Sequence, residues 1–199
     1  MRRLVIGSND IQDISALSLM KALQFLDISE SDVGGINDVP SSLSCKVTNL
    51  IRLTACTALE ELVMTPVPQC DYSPLAGLSL KALSIKGSYN NDDFDGHVPL
   101  MPTLERLKIF SCSSSILPEL SSRLTALQEL ALVGNILTPE YISSLSLLPS
   151  LTALYLDCEC DHVPDMAALL PTQLRALTVT EGVTRADLTH LTALTNVSF

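Results

Sequence analysis

An acidic stretch near the middle of the chain has oxygen ligands at alternating positions, as a calcium-binding loop requires. Asn91, Asp93 and Asp95 are each separated by one residue, and Gly96 follows where such a loop turns sharply. The twelfth loop position holds Pro102 and not the glutamate that closes such loops with both carboxylate oxygens. An acidic, solvated turn explains the same residues, and we favour that interpretation over a calcium site.

A second short stretch groups two thiols and an imidazole. Cys158, Cys160 and His162 are all possible zinc ligands. A structural zinc site usually needs four ligands, and the C-x-C spacing is tighter than the usual C-x-x-C. We favour a polar turn after a strand, in which the cysteines fill small, partly buried gaps.

Groups for nucleophilic or phosphate chemistry are not brought together by the sequence. The three histidines, His97, His162 and His190, are far apart and have no evident nucleophile beside them. The chain has no glycine-rich phosphate loop and no G-x-S-x-G motif. The sequence therefore predicts that the chain is not an enzyme and needs no cofactor.

Charge and hydropathy restrict the class of partner. The net charge of -10 argues against nucleic acid and against an anionic membrane surface, because both need a surplus of Lys and Arg. No apolar run approaches the roughly 18 residues of a membrane span. The six cysteines lack the paired spacing of a disulfide framework, so we expect a reducing, cytoplasmic location.

The elements that must position any site are repeated along the chain. Residues 127–135 read L-x-x-L-x-L-x-x-N, and the apolar frame L-x-x-L-x-L recurs seven more times. The best-spaced frames follow each other at steps of 24, 23, 24 and 23 residues. The eight frames begin at Met1, Leu23, Leu59, Leu80, Leu104, Leu127, Leu151 and Leu174.

This pattern resembles the leucine-rich repeat superfamily, and its first unit partly resembles the shorter repeats of phosphatase-regulatory proteins. The resemblance implies an α/β solenoid with a curved parallel sheet on the concave face. Short helices, 3-10 turns or extended segments would return the chain across the convex face. It also implies a hydrogen-bonding side chain at the ninth position of each repeat, where only Asn9 and Asn135 are asparagines.

One interval breaks the regular spacing. The step from Leu23 to Leu59 is 36 residues, and we expect a degenerate repeat there with a strand near residues 44–48. A last, partial unit starts at Leu194. Residues 1–199 are thus predicted to form a single domain of about nine repeats plus a partial one. Because no capping segment is evident, we expect a fragment of a longer chain, or ends covered by another subunit.

Two return segments carry helix signals. Thr138 is placed to cap a short helix over residues 138–148, with Pro139 in its first turn and Glu140 near its positive end. Residues 165–170, followed by Pro171, predict another helical turn.

The residues that alternate with the inward leucines are predicted to form the binding surface. Four basic residues cluster on two adjacent predicted strands, and two aromatic residues nearby are not needed for burial. Charge would steer the encounter with an acidic partner segment, and the rings would anchor it. A solvated face with internally paired charges is the alternative. The predicted partner-binding residues are Lys81, Lys86, Arg106, Lys108, Phe110 and Tyr155.

These features predict a protein-protein interaction scaffold that binds its partner through the concave face. One alternative is an adaptor or regulatory subunit, such as a ubiquitin-ligase substrate receptor or a phosphatase regulator. Another is the repeat region of a larger enzyme whose catalytic domain lies outside this sequence.

Overall fold

The computed structural model describes residues 1–7, 11–29, 47–65, 70–86, 99–110, 123–136, 138–159, 166–180 and 188–198. In this part of the chain nine strands form one parallel sheet, in which spatial order follows sequence order. The strands are β1 (Arg3–Val5), β2 (Phe25–Ile28), β3 (Glu61–Met64), β4 (Ala82–Lys86), β5 (Arg106–Phe110), β6 (Glu129–Ile136), β7 (Ala153–Glu159), β8 (Ala176–Val179) and β9 (Asn196–Ser198).

Each strand begins two residues after the first position of an L-x-x-L-x-L frame. The pairing is in register, so that Leu83 lies opposite Leu107 and Leu107 opposite Leu130. The later apolar residue of each frame follows the same rule, as Ile85 and Ile109 show. Since alternate strand residues point to opposite faces, these two positions stack into continuous buried rows.

The prediction of a strand near residues 44–48 was wrong. Strand β2 pairs directly with β3, with Leu26 opposite Leu62, so no further strand lies between them. Residues 44–46 lie outside the described part of the chain, and Val47 and Thr48 are not in a strand. The 36-residue interval is therefore one long connection. The partial unit that starts at Leu194 does contribute a strand, β9.

The return segments contain short helices, as predicted, and the structure describes the bounds of six of them. Four are 3-10 helices: η1 (Ser15–Leu19), η2 (Leu50–Ala55), η3 (Ser73–Gly77) and η4 (Leu145–Leu147). Two are α-helices: α1 (Pro139–Ser144) and α2 (Met166–Leu169). The Thr138 hydroxyl accepts a hydrogen bond from the Tyr141 amide at 3.3 Å, which confirms the predicted cap.

The core is aliphatic and lies between the sheet and the return segments. Its leucines come from both sides, with Leu17, Leu53 and Leu75 of the 3-10 helices packed in the same cluster as the strand residues. Tyr72 and Tyr141 are the buried aromatic residues of the described chain. The opposite face of the sheet is left to solvent, and it is there that a site can form.

Candidate functional site: a hollow on the strand face

The solvent side of the sheet carries two rows of side chains in register, which we call the strand face. One row precedes the first inward residue of each strand, and the other lies between the two inward residues. The first row is Arg3, Phe25, Glu61, Ala82, Arg106, Glu129, Ala153, Ala176 and Asn196. The second is Val5, Asp27, Val63, Ser84, Lys108, Ala131, Tyr155, Thr178 and Ser198.

Strands β3 to β8 together form a depression of about 380 Å³ in the strand face, the central hollow. A sheet has such a depression where small side chains lie between larger ones and the strands curve toward it. The strand-face residues that line it are Glu61, Val63, Ala82, Ser84, Arg106, Lys108, Glu129, Ala131, Ala153, Tyr155, Ala176 and Thr178. Alanines on four of these strands, β4, β6, β7 and β8, give it an apolar floor.

Arg106 lines the central hollow, but its charge is already paired. Its guanidinium donates to a Glu61 carboxylate oxygen at 2.9 Å, although these residues lie two strands apart. The pair can form because the intervening strand contributes only Ala82 at this position. Both side chains remain nearly half exposed, so the ion pair adds little stability, although it does occupy the arginine.

Lys81 does not line the central hollow. It immediately precedes strand β4, and its ammonium lies 3.1 Å from the carboxylate of Glu60. Two of the four basic residues predicted to bind a partner are therefore held by glutamates of preceding repeats. In this respect the alternative of internally paired charges describes the face correctly.

Lys108 differs from these two residues. Its ammonium lies 4.7 Å from the centre of the Phe110 ring, a cation-π contact, and no carboxylate of the described chain is within ion-pair distance. Lys86 ends strand β4 and lies opposite Phe110 in the sheet, outside the central hollow. The predicted basic and aromatic cluster thus divides into a paired part and a part around Lys108.

Tyr155 faces Lys108 across the floor of the central hollow. Lys108, Ala131 and Tyr155 occupy the same register position on three successive strands. Tyr155 is 36% exposed, and the described chain offers its hydroxyl no hydrogen-bond partner. Arg106, Lys108 and Tyr155 are accordingly the predicted residues that line the hollow, and Phe110 contributes by supporting Lys108.

The alanine floor was not singled out from the sequence. Ala82, Ala131, Ala153 and Ala176 each stand at an outward position of a frame, where other repeats carry long side chains. Small residues at the same frame position of several strands were the available signal. The sequence prediction considered charged and aromatic residues and therefore did not identify these alanines.

The metal candidates are not tested by the described chain. Asn91, Asp93, Asp95, Cys160 and His162 lie outside the described residues, and only the backbone of Cys158 is described, within β7. Over the ranges that the structure covers, no group of three or more His, Cys, Asp or Glu side chains is placed to hold a metal ion.

Two free thiols lie among the return segments, away from the strand face. Cys56 is fully buried with its sulfur 3.2 Å from the Leu17 carbonyl oxygen, and Cys70 lies 3.4 Å from that of Thr48. Burial raises the pKa of both thiols, which keeps them protonated and poorly nucleophilic. None of the helices described in the chain has the length and apolar character needed to cross a membrane.

Solved structures provide the comparison with known proteins, since no protein-family model and no curated protein sequence matches the chain. An internalin (inlF) of Listeria monocytogenes aligns over the whole chain with a TM-score of 0.55 and 20% identity. The chain spans 61% of that structure.

Two further structures also align over the whole chain. An internalin C2 of Listeria monocytogenes has a TM-score of 0.45, 19% identity and 70% of its length covered. A leucine-rich repeat protein of Leptospira interrogans has a TM-score of 0.37, 17% identity and 66% of its length covered. At such identities the likeness concerns the fold, and the first of the three structures is the one that supports it.

Proposed function

The chain is a leucine-rich repeat solenoid, and we propose that it is a protein-interaction scaffold whose partner binds the strand face at the central hollow. The observation that carries this proposal is a solvent-accessible apolar floor beside binding groups that have no hydrogen-bond or ion-pair partner in the described residues. Ala131 and Ala153 provide the floor, and Lys108 and Tyr155 provide a cation and a hydroxyl at its edge.

The arrangement suits a protein segment because it joins an apolar centre to polar groups around it. Interfaces derive most of their binding energy from a few anchors in well-packed pockets, with polar contacts at the rim. Tyrosine is among the residues enriched at such centres, and here Tyr155 is exposed rather than packed into the core.

We further propose that the segment presents an acidic residue to Lys108. Sequence reasoning assigned this role to Lys86, Arg106 and Lys108 alike. Because Arg106 already binds Glu61, an incoming carboxylate would have to compete with that glutamate. At Lys108 it would meet an ammonium that has no carboxylate partner in the described chain.

The proposal is tested by selecting binders from a library of short random peptides displayed on phage. The affinity of the selected peptides is then measured. Replacing Ala131 by Trp fills the hollow and should weaken binding by about tenfold or more. Val5→Trp is the matched control, because Val5 occupies the same strand position on β1 outside the hollow and is already 57% exposed. Ala153→Phe serves as a second blocking variant in case Ala131→Trp does not fold.

The charge assignment has its own matched pair of variants. Lys108→Glu should weaken the selected peptides by about tenfold, whereas Arg3→Glu should not. Arg3 is a suitable control because it lies over Phe25 at 3.5 Å, the same kind of contact that Lys108 makes with Phe110. If the selected peptides bind both blocking variants as tightly as they bind the unmodified chain, the binding surface lies elsewhere.

A further inference from the structure

The central hollow contains a second charge without a partner, and its sign is opposite to that of Lys108. Glu129 lines the hollow and is exposed, and no cation of the described chain lies within ion-pair distance of its carboxylate. Its register neighbour is Arg106, whose guanidinium is directed to Glu61 on the other side.

Glu129 and Lys108 do not neutralise each other, and the geometry explains why. Lys108 lies opposite Ala131, two residues beyond Glu129 along strand β6. The Lys108 ammonium leans over Phe110, which lies two residues further in the same direction. The cation is thus held toward one end of the strands, and the carboxylate stands toward the other.

We propose that the central hollow binds a peptide segment that carries one acidic and one basic side chain on the same side, the acid at Lys108 and the base at Glu129. This inference rests on the proposed function and adds to it the charge pattern of the partner. A purely acidic segment would leave Glu129 beside like charges, which is unfavourable in a partly desolvated hollow.

The spacing of the two charges also restricts the segment. In parallel, in-register strands, residues one strand and two positions apart have Cα atoms roughly 8 Å from each other. Same-side residues of an extended chain are two positions apart and about 6.8 Å from each other. Because the Lys108 ammonium lies further along the strand, over Phe110, the two side chains of the segment must diverge to reach both charges. An acid and a base separated by one residue can do so, with the intervening side chain directed away from the floor.

The rest of the hollow gives a bound segment its orientation, because Tyr155 lies on only one side of the two charges. With the acid at Lys108 and the base at Glu129, a segment of reversed charge order in the same orientation would bring like charges together at both positions. The charge order of bound peptides should therefore depend on which strand carries the cation.

The test compares peptide selections on two forms of the whole chain, the unmodified protein and the exchanged variant Lys108→Glu with Glu129→Lys. The unmodified chain should select peptides with an acid and a base one residue apart, in one preferred order. The exchanged variant should select the opposite order, and each peptide class should bind its own form about tenfold more tightly than the other.

A matched exchange controls for charge alone. Glu105→Lys with Arg175→Glu also keeps the net charge, and both positions lie outside the central hollow. It should select the same peptides as the unmodified chain. The single variant Glu129→Gln should keep the acidic preference and lose the basic one, which provides a readout if the exchanged variant does not fold.

The two proposals fail in different ways. Selected peptides that are acidic without a base, and that Glu129→Gln does not affect, would overturn the mixed-charge inference and leave the proposed function standing. A selection that yields no peptide sensitive to Ala131→Trp or Ala153→Phe would overturn the proposed function, and the inference with it.

Discussion

At the scale of single residues, two glycines occupy backbone positions that a larger residue does not tolerate. Gly134 has φ of 65° within β6, at the point where the register with β7 shifts between Val133 and Ile136. A left-handed residue at such a bulge favours glycine because a Cβ would approach the neighbouring carbonyl. At Gly7 the reason is space, since a Cβ there would overlap the backbone carbonyl of Ser29.

Gly134→Ala should lower the free energy of unfolding by about 1–2 kcal/mol, the cost of the left-handed conformation for a residue with a Cβ. Gly77→Ala is the matched control, because a Cβ there meets no atom within 4 Å. That variant should be unchanged or up to about 1 kcal/mol more stable, since alanine restricts the unfolded chain. Urea unfolding measures both, and equal effects would contradict the conformational argument.

At the scale of elements, the return segments follow a three-residue period that is easily mistaken for a degenerate repeat. Val47, Leu50, Leu53, Cys56 and Leu59 are all buried. The Cys56 amide donates to the Leu53 carbonyl at 2.8 Å, and the Leu59 amide to that of Cys56 at 2.9 Å. A 3-10 helix has three residues per turn, so this spacing places every third side chain on the core.

An aspartate lies two residues before the first residue of two of these 3-10 helices. Asp13 accepts from the Ser15 amide at 2.8 Å, and Asp71 accepts from the Ser73 amide at 2.9 Å. For Asp13 the hydrogen bond from the Ser15 amide is the main cause that lowers the carboxyl pKa below its ordinary value of 3.8, followed by the Ser15 hydroxyl. For Asp71 the Ser73 side chain lowers the pKa first and the Ser73 amide second.

These carboxylates should make the fold sensitive to acid. A pKa that is lower in the folded chain contributes stability above the ordinary value of 3.8, and this is lost as the pH falls through the lowered pKa. The double variant Asp13→Asn with Asp71→Asn keeps an oxygen acceptor but does not titrate there. Its melting temperature should match that of the unmodified chain at pH 7 and should fall less on acidification. An identical acid dependence of the two proteins would show that these aspartates do not contribute.

The repeats are also joined by side chains that precede the frames. Thr103 donates to the Leu80 carbonyl at 2.9 Å, and Gln173 donates to the Leu148 carbonyl at 3.0 Å. Ser150 makes an equivalent bond to the Thr125 carbonyl at 2.8 Å. The side chains at the ninth positions, where the sequence predicted a thin asparagine ladder, lie outside the described part of the chain. These three inter-repeat bonds therefore come from a position that the prediction did not consider.

At the scale of the whole molecule, each described strand pairs in the sheet only with its neighbours in the sequence of repeats. Leu107 is 2% exposed and is stacked between Leu83 on one side and Leu130 on the other. In such an array stability is close to a sum of unit and nearest-neighbour contributions. A defect at one repeat should consequently weaken the adjoining repeats more than the distant ones.

Leu107→Ala should lower the free energy of unfolding by about 2–5 kcal/mol, because it removes a fully buried side chain and leaves a cavity. Leu147→Ala is the control, since that side chain is 63% exposed and its loss should change stability by less than about 0.5 kcal/mol. Hydrogen exchange should show the largest loss of protection in β4, β5 and β6 and the smallest in β1 and β9. A uniform loss across the sheet would show that the array unfolds as one unit.

The repeat pattern and local helix signals were enough to predict the nine strands, the core and the helices of two return segments. The frame L-x-x-L-x-L places two apolar residues on one side of a strand, and its recurrence makes sense only if the strands stack. Local chemistry likewise determined helix α1, because Thr138 and Pro139 act within one turn. Spacing failed near residues 44–48, because Val47 is buried without being in a strand and β2 pairs directly with β3.

Which of the predicted surface residues remain available to a partner depends on the contacts made in the folded chain. Glu61 and Arg106 are 45 positions apart in the sequence, yet they pair across Ala82 because the sheet brings β3 and β5 to either side of β4. The same stacking leaves Lys108 over Phe110 and Glu129 without a partner in the described chain. Inward positions obey a period that is written in the chain, whereas contacts between outward side chains depend on which repeats become neighbours and on the size of the residue between them.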